Sequence, residues 1–207
     1  MTTDRYLIAQ GTFRILLQGM SRPGRVYALP VEKRKCTSED TQSRGSGINR
    51  SLLSVSLMAV LQTLLDHEVT FSIAGHGEER LKKDITGYTG SRAVNMEEAD
   101  FVVVPSGDSG GAILDVKRGS FEYPDTGATV IHSVKSLSVS DNGGSGVILK
   151  GPGIEGEISP FISGINRNEL LHLGEINSGF PLGVDTIFID AGNRIMCIPR
   201  STRIEVR

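Results

Sequence analysis

Two apolar runs joined by four turn residues constrain this chain more than any other stretch. Val184-Asp185-Thr186-Ile187-Phe188-Ile189 is mostly β-branched and apolar. Asp190-Ala191-Gly192-Asn193 supplies turn residues. Ile195-Met196-Cys197-Ile198 returns and is stopped by Pro199, which has no N–H to give to a ladder. The pattern predicts a β-hairpin, led in by a turn at Phe180-Pro181-Leu182-Gly183. Neither arm alternates much between apolar and polar, so both faces must be covered. Asp185 breaks the apolar run. A buried Asp needs a partner, and Arg200 or a backbone donor is expected to supply it.

Upstream, helical and extended patterns take turns. Phe13, Leu16, Leu17 and Met20 fall at helical spacing after Thr12, which is expected to cap the helix. A short strand is expected at 25–29. Residues 31–47 are polar and charged and predict a long loop. Residues 48–65 carry the strongest helical signal, an apolar stripe wide enough to be buried on much of the circumference. Strands follow at 69–74, 101–104, 128–134 and 147–150. Helices follow at 78–85 and at 166–176, with Leu170, Leu171 and Leu173 facing inward. Residues 109–117 are expected to be helical, weakened by two glycines. With 207 residues the chain fits one domain. The expected class is α/β: a central mixed sheet, made mixed by the final hairpin, flanked by helices.

Composition removes several function classes. A net charge of −2 and an aromatic content of 5% without tryptophan argue against a nucleic-acid surface. No apolar run reaches the length of a membrane span. The opening MTTDRYLIAQ has no signal-peptide core, so a cytoplasmic location is expected. Cys36 and Cys197 are the only cysteines and are expected to be reduced thiols, Cys197 in the core.

Short motifs tempt more than they support. Gly107-Asp108-Ser109-Gly110-Gly111 reproduces the nucleophile segment of trypsin-like proteases. A serine hydrolase using Ser109 is the alternative enzyme reading, but it needs a histidine base that the sequence context does not supply. Gly151-Pro152-Gly153-Ile154-Glu155-Gly156 matches a dinucleotide-binding pattern, yet Pro160 interrupts any helix that would follow. A glycine-rich turn is expected instead. The four histidines, 67, 76, 132 and 172, show no zinc-ligand spacing. His132 is expected to be a satisfied histidine partly in the core, and His172 a helix-surface residue. None of the seven lysines stands out as a Schiff-base candidate, so neither metal nor organic cofactor is expected. The polar groups that remain lie beside buried elements. Arg200, Ser201 and Thr202 follow the last strand of the hairpin, Asp185 lies in its first arm, and Ser21 and Arg22 precede the Pro23-Gly24 turn. They are the candidate binding or interface residues, able to pair carboxylates, phosphate oxygens or a partner surface. A solvated strand end accounts for the tail equally well.

Several of these segments resemble one family in order along the chain. Phe180-Pro181-Leu182-Gly183-Val184-Asp185 and the ending Ile198-Pro199-Arg200-Ser201-Thr202 followed by Ile204-Glu205-Val206 resemble the C-terminus of PhnH, the H subunit of bacterial carbon–phosphorus lyase. Phe13-Arg14-Ile15-Leu16-Leu17 with Met20-Ser21-Arg22-Pro23-Gly24 is similar to that family's N-terminal segment. Pro124-Asp125-Thr126-Gly127-Ala128-Thr129 and Leu149-Lys150-Gly151-Pro152-Gly153-Ile154 are similar to family segments between them. The resemblance implies a reduced PLP-dependent transferase fold without PLP. It also implies an accessory role in phosphonate catabolism, where alkylphosphonate and ATP give ribose 1-alkylphosphonate 5-triphosphate. The implied partners are the G, I and J subunits, with L as a further one, and no activity is expected in the isolated chain. Alone, a homodimer is expected, the commonest symmetric oligomer.

Overall fold

The computed structural model describes residues 2–31, 54–75, 78–141 and 143–207. Helix α1 (Thr2–Ser21) leads into strand β1 (Val26–Ala28). Helix α2 (Val55–Leu64), strand β2 (Thr70–Ile73), helix α3 (Glu78–Thr89), and strands β3 (Arg92–Ala93) and β4 (Phe101–Val104) follow. Next come β5 (Thr129–Val134), β6 (Ser136–Ser138), β7 (Ser145–Lys150) and β8 (Phe161–Ser163). Helix α4 (Arg167–Asn177) precedes β9 (Asp185–Asp190), β10 (Arg194–Ile198) and β11 (Arg203–Val206).

Seven strands form one mixed sheet in the order β1-β10-β9-β5-β4-β2-β3. The hairpin expected from the sequence is β9 and β10, pairing Ile195 with Ile189 and Ile198 with Thr186. It lies inside the sheet, with β5 parallel on one side and β1 antiparallel on the other. Its missing alternation is explained by two cores. Phe188, Met196 and Ile198 enter one; Ile187, Ile189, Ile195 and Cys197 enter the other. The second core is closed by Leu16 of α1, Leu57 and Leu61 of α2, and Leu81 and Ile85 of α3. The first is closed by Leu170 and Leu173 of α4 and by Leu137, Val147, Leu149 and Ile162. Cys197 lies in the core as expected, and burial, with the charge of Asp185 adding to it, pushes its thiol up to about 12.

Several expectations change. Thr12 does not begin a helix: α1 already runs from Thr2, and Thr12 sits within it, fully buried. Phe13 and Leu17 face outward, 48% and 54% exposed, while Leu16 and Gly19 face the sheet. A Cβ on Gly19 would stand 2.7 Å from the Cys197 sulfur, so glycine is what lets α1 lie on β10. Leu171 is exposed rather than inward. Residues 109–117 hold only a 3-10 turn at Ala112–Asp115, because Gly110 and Gly111 take left-handed conformations that a helix does not accept. Helix α3 runs on to Thr89, and the charged connection after it contains β3. A second sheet, β11-β7-β8-β6, was not expected. Two of its strands are three residues long and serine-rich, and its edge strand β11 alternates charged and apolar residues, so it reads as a polar tail. The glycine pattern at 151–156 is a turn after β7, with no helix beginning in it. Most of the 31–47 loop, the first turns of the 48–65 helix, Cys36 and His76 lie outside the described residues.

Candidate functional site at the carboxyl ends of the parallel strands

The parallel strands β2, β3, β4, β5 and β9 occur in the spatial order β3-β2-β4-β5-β9. Chain order reverses between β2 and β4. In open α/β sheets, ligands bind outside the carboxyl ends of strands at such a reversal. The two loops meet there: a Cβ on Gly75, after β2, would lie 3.5 Å from the Asp108 carbonyl oxygen. Residues 105–111, after β4, are held against the segment that starts α4. The Asn166 N–H donates to the Gly107 carbonyl at 3.0 Å. Gly107 has φ of 68°, and any side chain on it would collide with the Gly164 carbonyl. Two clefts border this loop.

The first, of about 290 Å³, is lined by Ser54, Ser106, Ser133, Lys135, Asp190 and neighbouring backbone. Ser54 is the N-cap of α2; its hydroxyl accepts from the Leu57 N–H at 3.1 Å. Asp190 is consumed by structure. Its carboxylate accepts from the N–H groups of Leu137, Gly192 and Arg194 and pairs with the Arg194 guanidinium at 2.6 Å. The Ser133 hydroxyl oxygen is buried without a partner.

The second cleft, of about 270 Å³, is lined by Asp108, Gly110, Gly111, Asn166, Asn168, Glu169 and His172. Ser109 lies beneath it, 7% exposed. Its hydroxyl donates to Glu169 Oε1 at 2.5 Å, and its N–H donates to the same oxygen at 2.7 Å. The hydroxyl oxygen accepts from Gly111 and Ile113 N–H groups at 3.2 and 3.3 Å. Ser109 is therefore a turn cap fixed to a carboxylate, and no histidine nitrogen among the described residues accepts its proton. Glu169 is 1% exposed, and its second oxygen, Oε2, has no hydrogen-bond partner. His172 Nδ1 is likewise buried and unpartnered, so His172 is not the plain surface residue expected. Asp108 is held below the usual carboxylate range, first by the Asn166 side-chain amide at 2.9 Å and then by the Gly110 N–H at 2.8 Å. Among the described residues, no group of three or more His, Cys, Asp or Glu side chains is placed to hold a metal ion.

Glu169, Asn166 and Asp108 were not among the sequence candidates. One signal was present: Asn166 and Glu169 have capping-box spacing. Asn166 does cap α4, its Oδ1 accepting from the Asn168 N–H at 3.0 Å. Glu169 leaves the box and turns to Ser109 because the Asn166 N–H is already taken by Gly107.

The sequence candidates lie at the other end of the sheet. Asp185 opens β9, and both expected kinds of partner reach it: the Arg200 N–H at 2.9 Å and the Arg200 guanidinium at 2.7 Å. Arg200 also donates to the Pro124 carbonyl. Its side chain is turned inward, 16% exposed. Thr202 is buried with an unpartnered hydroxyl, and its N–H donates to the Pro199 carbonyl at 2.9 Å. The Ser21 hydroxyl donates to the Gln18 carbonyl at 3.0 Å, and Arg22 is exposed. The glycine turn after β7 brings two of these groups together. A Cβ on Gly151 would lie 2.9 Å from the Ser201 carbonyl oxygen, and one on Gly153 would strike that of Ser21. Asp185 and Arg200 form a separate cluster with Pro124. His132, in β5, is not satisfied as expected. It is fully buried, both ring nitrogens are unpartnered, and it stacks on Phe188 with centroids 5.3 Å apart. Burial lowers its pKa to about 3.

A mixed-sheet α/β domain whose polar clefts sit at the strand ends defines a broad class of binding scaffolds. The sequence narrows it: residues 2–205 match the model of the bacterial phosphonate metabolism protein (PhnH) family. The chain belongs to that family. A relative from Stutzerimonas stutzeri, named "Putative C-P lyase subunit protein HtxG", is 30% identical over 200 residues, covering 96% of this chain and 86% of the relative. No helix among the described residues is long and apolar enough to cross a membrane.

Proposed function

We propose that this chain is an accessory subunit of the carbon–phosphorus lyase core complex. In this reading it is required when alkylphosphonate and ATP are converted to ribose 1-alkylphosphonate 5-triphosphate, and it works beside the G, I and J subunits, with L. The observation that carries the reading is the family match along residues 2–205, supported by a relative whose name places it in a C–P lyase. The Ser109 geometry speaks against the hydrolase alternative, since the hydroxyl is buried and already donated to Glu169. The reading includes a homodimer for the isolated chain, a cytoplasmic location, and descent from a PLP-dependent transferase fold that no longer holds PLP.

Within this reading the tail retains a part. The Ser201 hydroxyl and the guanidinium of Arg22, on the turn beside it, are the donors offered to a partner. Arg200 and Asp185 fix the strand end from which that surface is presented. The test is growth on methylphosphonate together with co-purification of the G, I and J subunits. Cells lacking the gene should fail to grow, and the wild-type chain should restore both growth and the complex. Growth without the gene would overturn the role. Normal assembly in a Ser201/Thr202 double-alanine variant and in Arg22→Ala would remove the tail surface from it. Turnover of ATP or phosphonate by the isolated chain would overturn the accessory assignment.

A further inference from the structure

The cleft between residues 105–111 and the start of α4 has an unusual balance of hydrogen-bonding groups. Several of its backbone and amide donors are used. The Gly110 N–H goes to Asp108, the Gly111 N–H to Ser109 and the Asn168 N–H to Asn166, while the Asn166 amide goes to Asp108. What remains among the lining residues is the acceptor capacity of Glu169, whose Oε2 is buried and unpartnered, and of the Asp108 carboxylate, beside the second N–H of the Asn166 carboxamide and the carboxamide of Asn168. His172 Nδ1, also unpartnered, stands on the same wall. No lysine or arginine is among the described lining residues, so the two carboxylates meet no permanent cation there. An unmade hydrogen bond at a buried acceptor is costly, and more so for a charged group. A phosphate or carboxylate would be repelled. A metal ion would find too few ligands. The complementary occupant is a compact cation with several N–H donors.

We propose that this cleft binds a guanidinium or alkylammonium group, with Glu169 Oε2 and Asp108 as its acceptors. Such a group comes from one of two sources, a basic side chain of a partner subunit or a free organic cation. The chemistry of recognition is the same for both, and the unpartnered oxygen is satisfied in either case.

The test is an amide-NMR titration of the full chain with N-ethylguanidinium chloride, against tetramethylammonium chloride at equal ionic strength. Tetramethylammonium carries the charge without any N–H. The amides of Gly110, Gly111 and Asn168 should shift saturably with the first salt only. Glu169→Gln keeps an oxygen for Ser109 and turns an amide donor toward the cleft. It should weaken binding about tenfold or more, the loss of one charge-assisted hydrogen bond. Asp108→Asn, at an exposed position, should weaken it several-fold and guards against a misfolded Glu169 variant. Absence of saturable shifts, equal shifts with tetramethylammonium, or unchanged binding in both variants would overturn the proposal. Co-expression with the other lyase subunits then separates the sources. Loss of assembly in Glu169→Gln assigns the group to a partner side chain; intact assembly with lost probe binding assigns it to a free cation. The titration does not depend on which complex the chain joins, so its failure leaves the subunit role standing.

Discussion

Both ends of the parallel sheet tie down an aspartate, Asp185 at one and Asp190 at the other. The amino end also leaves the Thr202 hydroxyl unpartnered, but the ends differ in where a carboxylate and an imidazole are left with unpartnered atoms. At the amino ends, carboxylates are tied to cations and backbone. Asp100, before β4, accepts from the Thr70 N–H and hydroxyl at 2.9 and 2.8 Å and from Lys117 at 2.6 Å, joining the starts of β2 and β4 to the segment before β5. Asp185 holds Arg200, which holds Pro124. At the carboxyl ends, Glu169 Oε2, His172 Nδ1 and the Ser133 hydroxyl are buried and left without partners beside open clefts. An unsatisfied buried polar group costs about 1–3 kcal/mol. The carboxyl end thus holds a carboxylate and an imidazole that stability alone does not explain, while at the amino end the unpartnered atom of Thr202 belongs to a neutral hydroxyl.

The largest effect should come from cutting a staple at the amino end. Arg200→Ala leaves Asp185 without its guanidinium and the Pro124 carbonyl without a donor. Breaking a buried pair costs about 3–5 kcal/mol, and this pair, being partly exposed, should lose about 2–3 kcal/mol. The urea midpoint measures it, and a variant as stable as wild type would abolish the contrast between the ends.

Acid probes the interior between them. The folded pKa of His132, about 3, lies below its unfolded value near 6.5. The unfolded chain therefore binds the extra proton, and stability falls as pH drops below 6.5. By pH 4.5 the loss should reach roughly 2–3 kcal/mol, and His132→Phe should flatten that part of the profile. Asp100 acts lower. Burial raises its carboxyl, but Lys117 and Thr70 together bring it below 3.8, so its contribution is lost only as pH falls beneath that value. A pH profile unchanged by His132→Phe would mean that the ring reaches solvent.

Ser109→Ala tests the carboxyl end. It removes the hydroxyl given to Glu169 and the acceptor of two N–H groups, so it should cost about 1–2 kcal/mol. A fluorophosphonate probe should label neither wild type nor variant. Stoichiometric labelling that depends on Ser109 would turn the cap into a nucleophile and reopen the hydrolase reading.

The smallest effect is expected at Lys135, exposed on the first cleft. Lys135→Ala should change stability by no more than about 0.5 kcal/mol, the range for surface positions. A larger loss in the melting curve would show that this cleft is also held together by its charges.

Elements whose period is set by burial were legible in the sequence. Ile187 and Ile195 on one face, with Phe188 and Met196 on the other, announced a hairpin covered on both faces, and Asp185 announced its own need of Arg200. The second sheet was not legible, since Ser136–Ser138 and Phe161–Ser163 are too short for a period and are recognised only once they pair. Phe13 and Leu17 matched a buried stripe, yet the sheet lies against the face carrying Leu16 and Gly19. The clefts escaped for a similar reason. Asp108 and Asn166, or Ser109 and Glu169, are adjacent only because Gly107 allows one loop to rest on another. Local patterns report what a segment buries, not which distant loop it meets.

The order in which the sheet can be assembled follows from where its strands fall along the chain. Val26 of β1 pairs with Met196 of β10, and between β5 and its partner β9 the chain runs through β6, β7, β8 and α4. Strands β9 and β10 thus come later in the chain than the strands they join, β5 and β1. Until they are in place, β1 and β5 expose unpaired edges, and α1 has no β10 to rest on. Closing these long separations makes folding slow and leaves a chain open to wrong strand pairing until it is done. A cut within β9 or β10 would remove the middle of the sheet rather than trim its margin.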